Sequence, residues 1–168
     1  MTWIGAMELT RRRFLASAAG ATVVGAPACA RSATATPAAD YEVSHSDAQW
    51  KRLLTPQQYD VLRNAGTERP YSSPLNDEHS KGVFACAGCG LELYSSDTKF
   101  ESGTGWPSFW KPLDNAVIER RDDSIGMTRT EVLCRRCGGH LGHVFDDGPQ
   151  PTGLRYCMNG VAMTFRPA

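Results

Sequence analysis

CRRCGG, residues 134–139, has a counterpart in CAGCG, residues 86–90. Two C-x-x-C pairs are the sequence pattern of a tetrahedral four-thiolate zinc site. Two residues between ligands let one tight turn aim both sulfurs at a single ion, and Gly88, Gly90, Gly138 and Gly139 relax the steric limits on those turns. The pairs stand 44 residues apart, longer than in a small zinc finger. Cys86, Cys89, Cys134 and Cys137 are therefore expected to clip two distant turns of a larger fold around one structural zinc. Two disulfides, or redox-active pairs, are the competing readings of the same spacing. A local site of Cys134, Cys137, His140 and His143 is a third, weakened because it leaves Cys86 and Cys89 without a role.

Around these turns the chain reads as short strands. VFAC, LELY, AVIE, MTRTEVL, HVFD, LRYC and VAMTF are separated by Gly, Asp, Asn and Pro, with no long crossover helix between them, so antiparallel pairing is favoured. Upstream, DAQWKRLLTPQQYDVLRNAG places Trp50, Leu53 and Leu54 at helical spacing. It then offers Thr55 as an N-cap, Pro56 at the first helical position and Gln58 three residues after the cap. Tyr59, Val61 and Leu62 give this second helix an apolar face, and Gly66 is its expected end. The domain is thus placed at residues 47–168, mainly β, with two short N-terminal helices. Residues 31–46, small and polar, read as a flexible linker.

Residues 1–30 read as a removable export signal. TRRRFLAS resembles a twin-arginine motif, and the apolar run from Phe14 to Ala26 is too short to span a bilayer, which needs roughly 20 residues. APACA offers cleavage after Ala28 or Ala30. It also sets Cys29 where a lipid anchor would sit, behind an imperfect lipobox. The expectation is a periplasmic or extracytoplasmic protein. The whole chain of 168 residues is formally neutral, and removal of residues 1–30 leaves a net charge of −2. That charge gives no basis for nucleic-acid binding or a polybasic membrane contact, and a monomer is expected.

Cys157, in LRYCMNG (154–160), lies outside both pairs. A buried, inert core cysteine is the bland reading. Arg155 shares its face if the segment is a strand and would lower the thiol pKa, and Asn159 would add a donor there. GGHLGHVFDDGP brings His140, His143 and Asp147, the usual kit for proton delivery. GTGWPSFW brings Trp106 and Phe109, rings able to wall an apolar pocket.

LTPQQYDVLRNAGTERPY, CAGCG, KFESGTGWPSF, CRRCGGHLGHVFDDGP and RYCMNG together resemble the peptide-methionine (R)-sulfoxide reductases, over roughly residues 48–168. The resemblance implies a fold of two antiparallel sheets, with short N-terminal helices and a zinc held by the two C-x-x-C turns. It also implies Cys157 as nucleophile and His140, His143 and Asp147 around the sulfoxide oxygen. Arg155 and Asn159 would flank the nucleophile, and Trp106 would receive the methionine methyl group. A thiolate would attack the positively polarised sulfur, leaving methionine and a sulfenic acid on Cys157. Many members carry a resolving cysteine where this chain has Thr104, so regeneration by an external thiol, such as a thioredoxin-like protein, is expected. Gly160-Val161 replaces a more usual Ser-Ala. A zinc-clipped β module that only binds or chaperones, and a thiol hydrolase, are the alternative functions.

Overall fold

The computed structural model describes residues 41–168 apart from residue 125. The two expected helices are present, α1 at Asp47–Leu53 and α2 at Pro56–Asn64. Each begins with a capping box: Ser46 with Gln49, and Thr55 with Gln58. Each box satisfies orphan N–H groups reciprocally and is the reason so short a helix starts where it does. Helix α2 ends one residue earlier than glycine placement suggests, with Ala65 itself left-handed at φ 55°. Trp50, Leu54, Val61 and Leu62 are buried, whereas Leu53 points to solvent. The linker expectation needs correction at its end. Val43 N–H donates to the Arg136 carbonyl at 2.9 Å, and the Tyr41 ring lies against Gly138. Residues 41–46 therefore pack on the second cysteine turn. The rest of that segment, the signal and Cys29 lie outside the described residues.

The strands are β1 (Gly82–Cys86), β2 (Glu92–Ser95), β3 (Lys99–Phe100), β4 (Ser108–Phe109), β5 (Val117–Asp122), β6 (Arg129–Cys134), β7 (His140–Phe145), β8 (Arg155–Met158) and β9 (Met163–Pro167). They form two antiparallel sheets. One has three strands in the order β2-β1-β9; the other has six in the order β3-β4-β8-β7-β6-β5. The core contains Phe84, Leu93, Tyr94, Phe109, Val132, Leu141 and Met158, all fully buried. Tyr94 stacks on Phe109 with centroids 4.3 Å apart, and Phe84 meets Phe109 edge-on at 4.9 Å. Phe109 is accordingly a core ring and not a pocket wall, which corrects the expectation from GTGWPSFW. Its neighbour Ser108 faces the other way, as strand alternation requires.

Strands β1 and β6 each run into a cysteine turn, and the two turns are built alike. Gly90 N–H donates to the Cys86 carbonyl and Cys86 N–H to the Leu91 carbonyl, both at 2.8 Å. Gly138 N–H to Cys134 and Cys134 N–H to Gly139 repeat those bonds at 2.8 Å each. Gly90 and Gly138 hold the same left-handed corner, at φ 72° and 67°, which a Cβ would strain.

Candidate active site and metal centre

The two turns bring their four thiols together. Cys86 and Cys137 sulfurs are 3.7 Å apart, Cys89 and Cys134 sulfurs 3.5 Å, and all four lie within 4.8 Å of one another. A disulfide needs about 2.05 Å, and all four cysteines are free in this structure. Four thiolates at about 2.3 Å from one tetrahedral ion would stand roughly 3.8 Å from each other. The cluster thus fits a metal ion of zinc's size and preference. Among the described residues the cluster holds the four cysteines alone, and His140 and His143 each turn one ring nitrogen to a carboxylate instead, so the local two-cysteine, two-histidine site is not the one the fold assembles.

Cys157 lies on β8, the central partner of β4 and β7. Register places Ser108 across from it on one side and His143 on the other. Glu131 stands across from His143, and Arg120 across from Glu131. Antiparallel partners share a face, so Ser108, Cys157, His143, Glu131 and Arg120 form one row across the larger sheet. Two histidines three residues apart would normally face opposite ways. The β6–β7 register slips between Val132 and Leu133, and this bulge turns His140 to the same side, with the two rings 5.4 Å apart. Gly142 sits in the bulge because a Cβ there would lie 2.1 Å from the Cys157 carbonyl oxygen.

Each histidine is held by a carboxylate that an arginine holds in turn. Glu131 Oε1 lies 2.7 Å from His140 Nδ1, while Arg120 donates twice to Oε2, at 3.0 and 2.7 Å. Asp122 Oδ2 lies 2.8 Å from His143 Nε2 and accepts from Arg129 at 2.6 Å. Burial works against the charge on Glu131, but His140 and Arg120 together hold its carboxyl below the usual range. Bonds from Ser124, joined by His143 and Arg129, pull Asp122 down strongly. Both carboxylates are ionised and can only accept, so Nδ1 of His140 and Nε2 of His143 carry protons. Nε2 of His140 is buried without a partner. Burial lowers the His143 pKa more than Asp122 raises it, so His143 is neutral at pH 7. Asp122, Glu131, Arg120 and Arg129 went unread in the sequence, where nothing local marks a strand acid as a histidine's partner.

A cleft of about 160 Å³ opens over the thiol, lined by Thr67, Trp106, Arg129, Phe145, Cys157 and Asn159. Thr104 Oγ1 lies 3.9 Å from Cys157 Sγ and 2.8 Å from Ser102 Oγ, to which the buried Ser108 hydroxyl donates at 2.7 Å. Two expectations about the thiol need correction. Arg155 spends its fork on Asp147, with both bonds at 2.8 Å, and stacks on the Phe145 ring. Burial therefore pushes the Cys157 thiol up, and Thr104, Arg155 and Ser108 do not bring it back. Asn159 lines the cleft, but its amide is used by the backbone: its oxygen accepts from Glu68 N–H at 2.9 Å and its nitrogen donates to Leu141 at 3.1 Å. Asp147 is exposed and touches the site only through Arg155. The alkylation rate of Cys157 by iodoacetamide is thus expected to climb with pH through 9, the ordinary thiol value, without levelling. A plateau reached by pH 8 would show that the guanidinium outweighs burial.

The fold and site define a class: a β protein whose two cysteine turns form a four-thiol cluster able to hold a metal ion, presenting one half-buried thiol to a small cleft beside oriented histidines. The chain belongs to the SelR domain family, whose pattern matches residues 54–167. It is 55% identical over 128 residues to a peptide methionine sulfoxide reductase MsrB of Leptospira interrogans, covering 76% of this chain and 98% of that one. It is 57% identical over 125 residues to an MsrB of Methanosarcina barkeri, covering 74% and 88%. An MsrB of Agrobacterium fabrum matches at 55% over 127 residues, covering 75% and 94%.

Proposed function

We propose that this protein is a peptide-methionine (R)-sulfoxide reductase, with Cys157 as its nucleophile. The carrying observation is the thiol itself, which lines one cleft with Trp106 and stands across from His143 on the neighbouring strand. The sulfoxide methyl group rests on Trp106 and its oxygen turns towards the histidine side. Two fixed subsites of opposite polarity on a stereogenic sulfur accept one epimer, and the family resemblance supports R.

Chemistry follows from the side chains present. The Cys157 sulfur bonds to oxygen as the S–O bond of the substrate breaks, giving methionine and a Cys157 sulfenic acid. The two-electron change reduces the substrate sulfur and oxidises the cysteine sulfur. No net proton is consumed, because the thiol proton ends on the sulfenic oxygen. A thiol that keeps its proton until substrate arrives is compatible with this balance. The unprotonated nitrogen of His143 can take that proton from sulfur and return it to oxygen, with Asp122 stabilising the imidazolium between. Two equivalents of external thiol then release the oxygen as water and restore Cys157. Thr104 supports that route, since a hydroxyl in the resolving position cannot form a disulfide.

Cys86, Cys89, Cys134 and Cys137 would hold one structural zinc, which closes its own shell and supplies no chemistry to the cleft. The arginine motif and apolar run at residues 1–30 support twin-arginine export to the periplasm, with Cys29 the candidate for lipid attachment. A thioredoxin-like partner is the donor supported by the resemblance. The deciding experiment offers resolved R and S sulfoxide peptides with and without dithiothreitol. The R peptide should be converted only with reductant, and the S peptide left at background. Hydrolysis of activated esters without any reductant dependence would favour the thiol hydrolase instead.

A further inference from the structure

Glu68 is 5% exposed, and nothing in the chemistry above uses it. Its carboxylate accepts from Gly160 N–H at 2.5 Å and from Val161 N–H at 3.0 Å. Its own N–H donates to the Asn159 side chain at 2.9 Å, and its carbonyl accepts from the Trp106 indole at 3.2 Å. One residue therefore bonds both the segment that follows Cys157 and the Trp106 ring, which lines the cleft together with the thiol. Thr67, next to it, lines the cleft itself.

Residues 160 and 161 also line a second cleft, of about 300 Å³, with Gln57, Gln58, Glu68 and Ser73 among others. Val161 borders this open space, so without the carboxylate its backbone has room to shift. Gly160 is already pressed against Ser73, whose Oγ would lie 2.1 Å from a Cβ at that position. This close approach accounts for Gly where the resemblance leads one to expect Ser. Burying a carboxylate is costly unless its oxygens are bonded. Burial raises the Glu68 pKa even against the two backbone bonds, so the anchor is retained at a cost.

Resting on the reductase reading, we propose that Glu68 is a positioning residue that sets the gap between Cys157 and Trp106, and so the fit of the sulfoxide between them. A displacement of about 1 Å at a reacting group costs roughly 10²-fold in rate. Glu68→Gln keeps the size but sets an amide NH₂ against one of two N–H donors. In the full-length, metal-loaded protein, kcat/KM for the R-sulfoxide peptide should fall at least about tenfold. Zinc content and folding at the assay temperature should be unchanged. Iodoacetamide labelling of Cys157, followed by mass mapping of its peptide, should accelerate at least about threefold as the segment behind the thiol loosens. Glu92→Gln, on an exposed position of β2, is the control and should change neither. A kcat/KM within about twofold of wild type, or lost activity with Cys157 labelled at the wild-type rate, overturns the assignment. If Glu68→Gln does not fold, Glu68→Asp keeps two acceptor oxygens one methylene short and is judged by the same readouts. If the wild-type protein turns over no sulfoxide, the reductase reading fails by itself. The labelling comparison still decides the clamp, which a wild-type rate in the variant refutes.

Discussion

Cys157→Ser should show no measurable sulfoxide reduction, a loss of at least about 10⁴-fold. The substitution changes one atom, but that atom is the one that takes the oxygen. A hydroxyl has no accessible oxidation state to replace sulfenic acid, so the reaction has no electron source. No other described thiol can stand in, since Cys86, Cys89, Cys134 and Cys137 are packed against one another. The variant should fold normally. Position 157 already faces the Thr104 and Ser108 hydroxyls, so a serine Oγ there enters a polar pocket. Its melting temperature should stay within about 3 °C of wild type and its metal content should not move. A sulfenic-acid trap applied after R-sulfoxide exposure without reductant should label wild-type residue 157 and nothing in the variant. Appreciable turnover by Cys157→Ser would place the nucleophile elsewhere and take the assignments of His143 and Trp106 with it.

The contrast between what the sequence disclosed and what it hid has a physical basis. The cysteine turns, the Thr55 cap and most strands are local patterns, in which spacing alone dictates geometry. The site is read less completely because its partners are remote. Glu68 meets Gly160 across 92 positions, and Asp122 meets His143 across 21. The pairing of His140 with His143 on one face depends on a bulge that strand periodicity cannot disclose, because a period of two puts them on opposite sides. The thiol pKa was misjudged for a related reason. Arg155 is two residues from Cys157, so its charge is visible in the sequence. The burial that outweighs it, and the Asp147 carboxylate that neutralises it, come from the folded sheet. Phe109 fails as a pocket residue on alternation alone, since Ser108 must face Cys157 and its neighbour must then enter the core.

Loss of the metal should be the largest structural effect, and it should reach the active site before the chain unfolds. Four-cysteine zinc sites contribute about 10–16 kcal/mol of apparent binding energy to small metal-dependent folds, against a total stability of about 5–15 kcal/mol for an ordinary domain. Here a genuine core would share the load with a metal held by the four cysteines, so only part of that energy need be spent on holding the fold. Cys86→Ser, or removal of the ion by a strong chelator, should lower the melting temperature by more than about 15 °C, corresponding to roughly 5 kcal/mol. The order of events follows from connectivity. The second turn passes from Cys137 through two glycines into His140, the first residue of β7, and the first turn joins β1 in the other sheet. Both histidines therefore lie on a strand that enters the sheet directly from a cysteine turn, so loosening of that turn should reach them first. Residues 41–46 also dock on that second turn, through Val43 and Tyr41, and should loosen with it. At temperatures where the metal-free protein retains its circular dichroism, kcat should already be reduced and Cys157 should react faster with iodoacetamide. Readdition of zinc should restore both in the chelated wild type and neither in Cys86→Ser. An apo protein with wild-type kcat and an unchanged melting curve would mean that the sheets hold the turns without help, and that the four thiols carry no structural load.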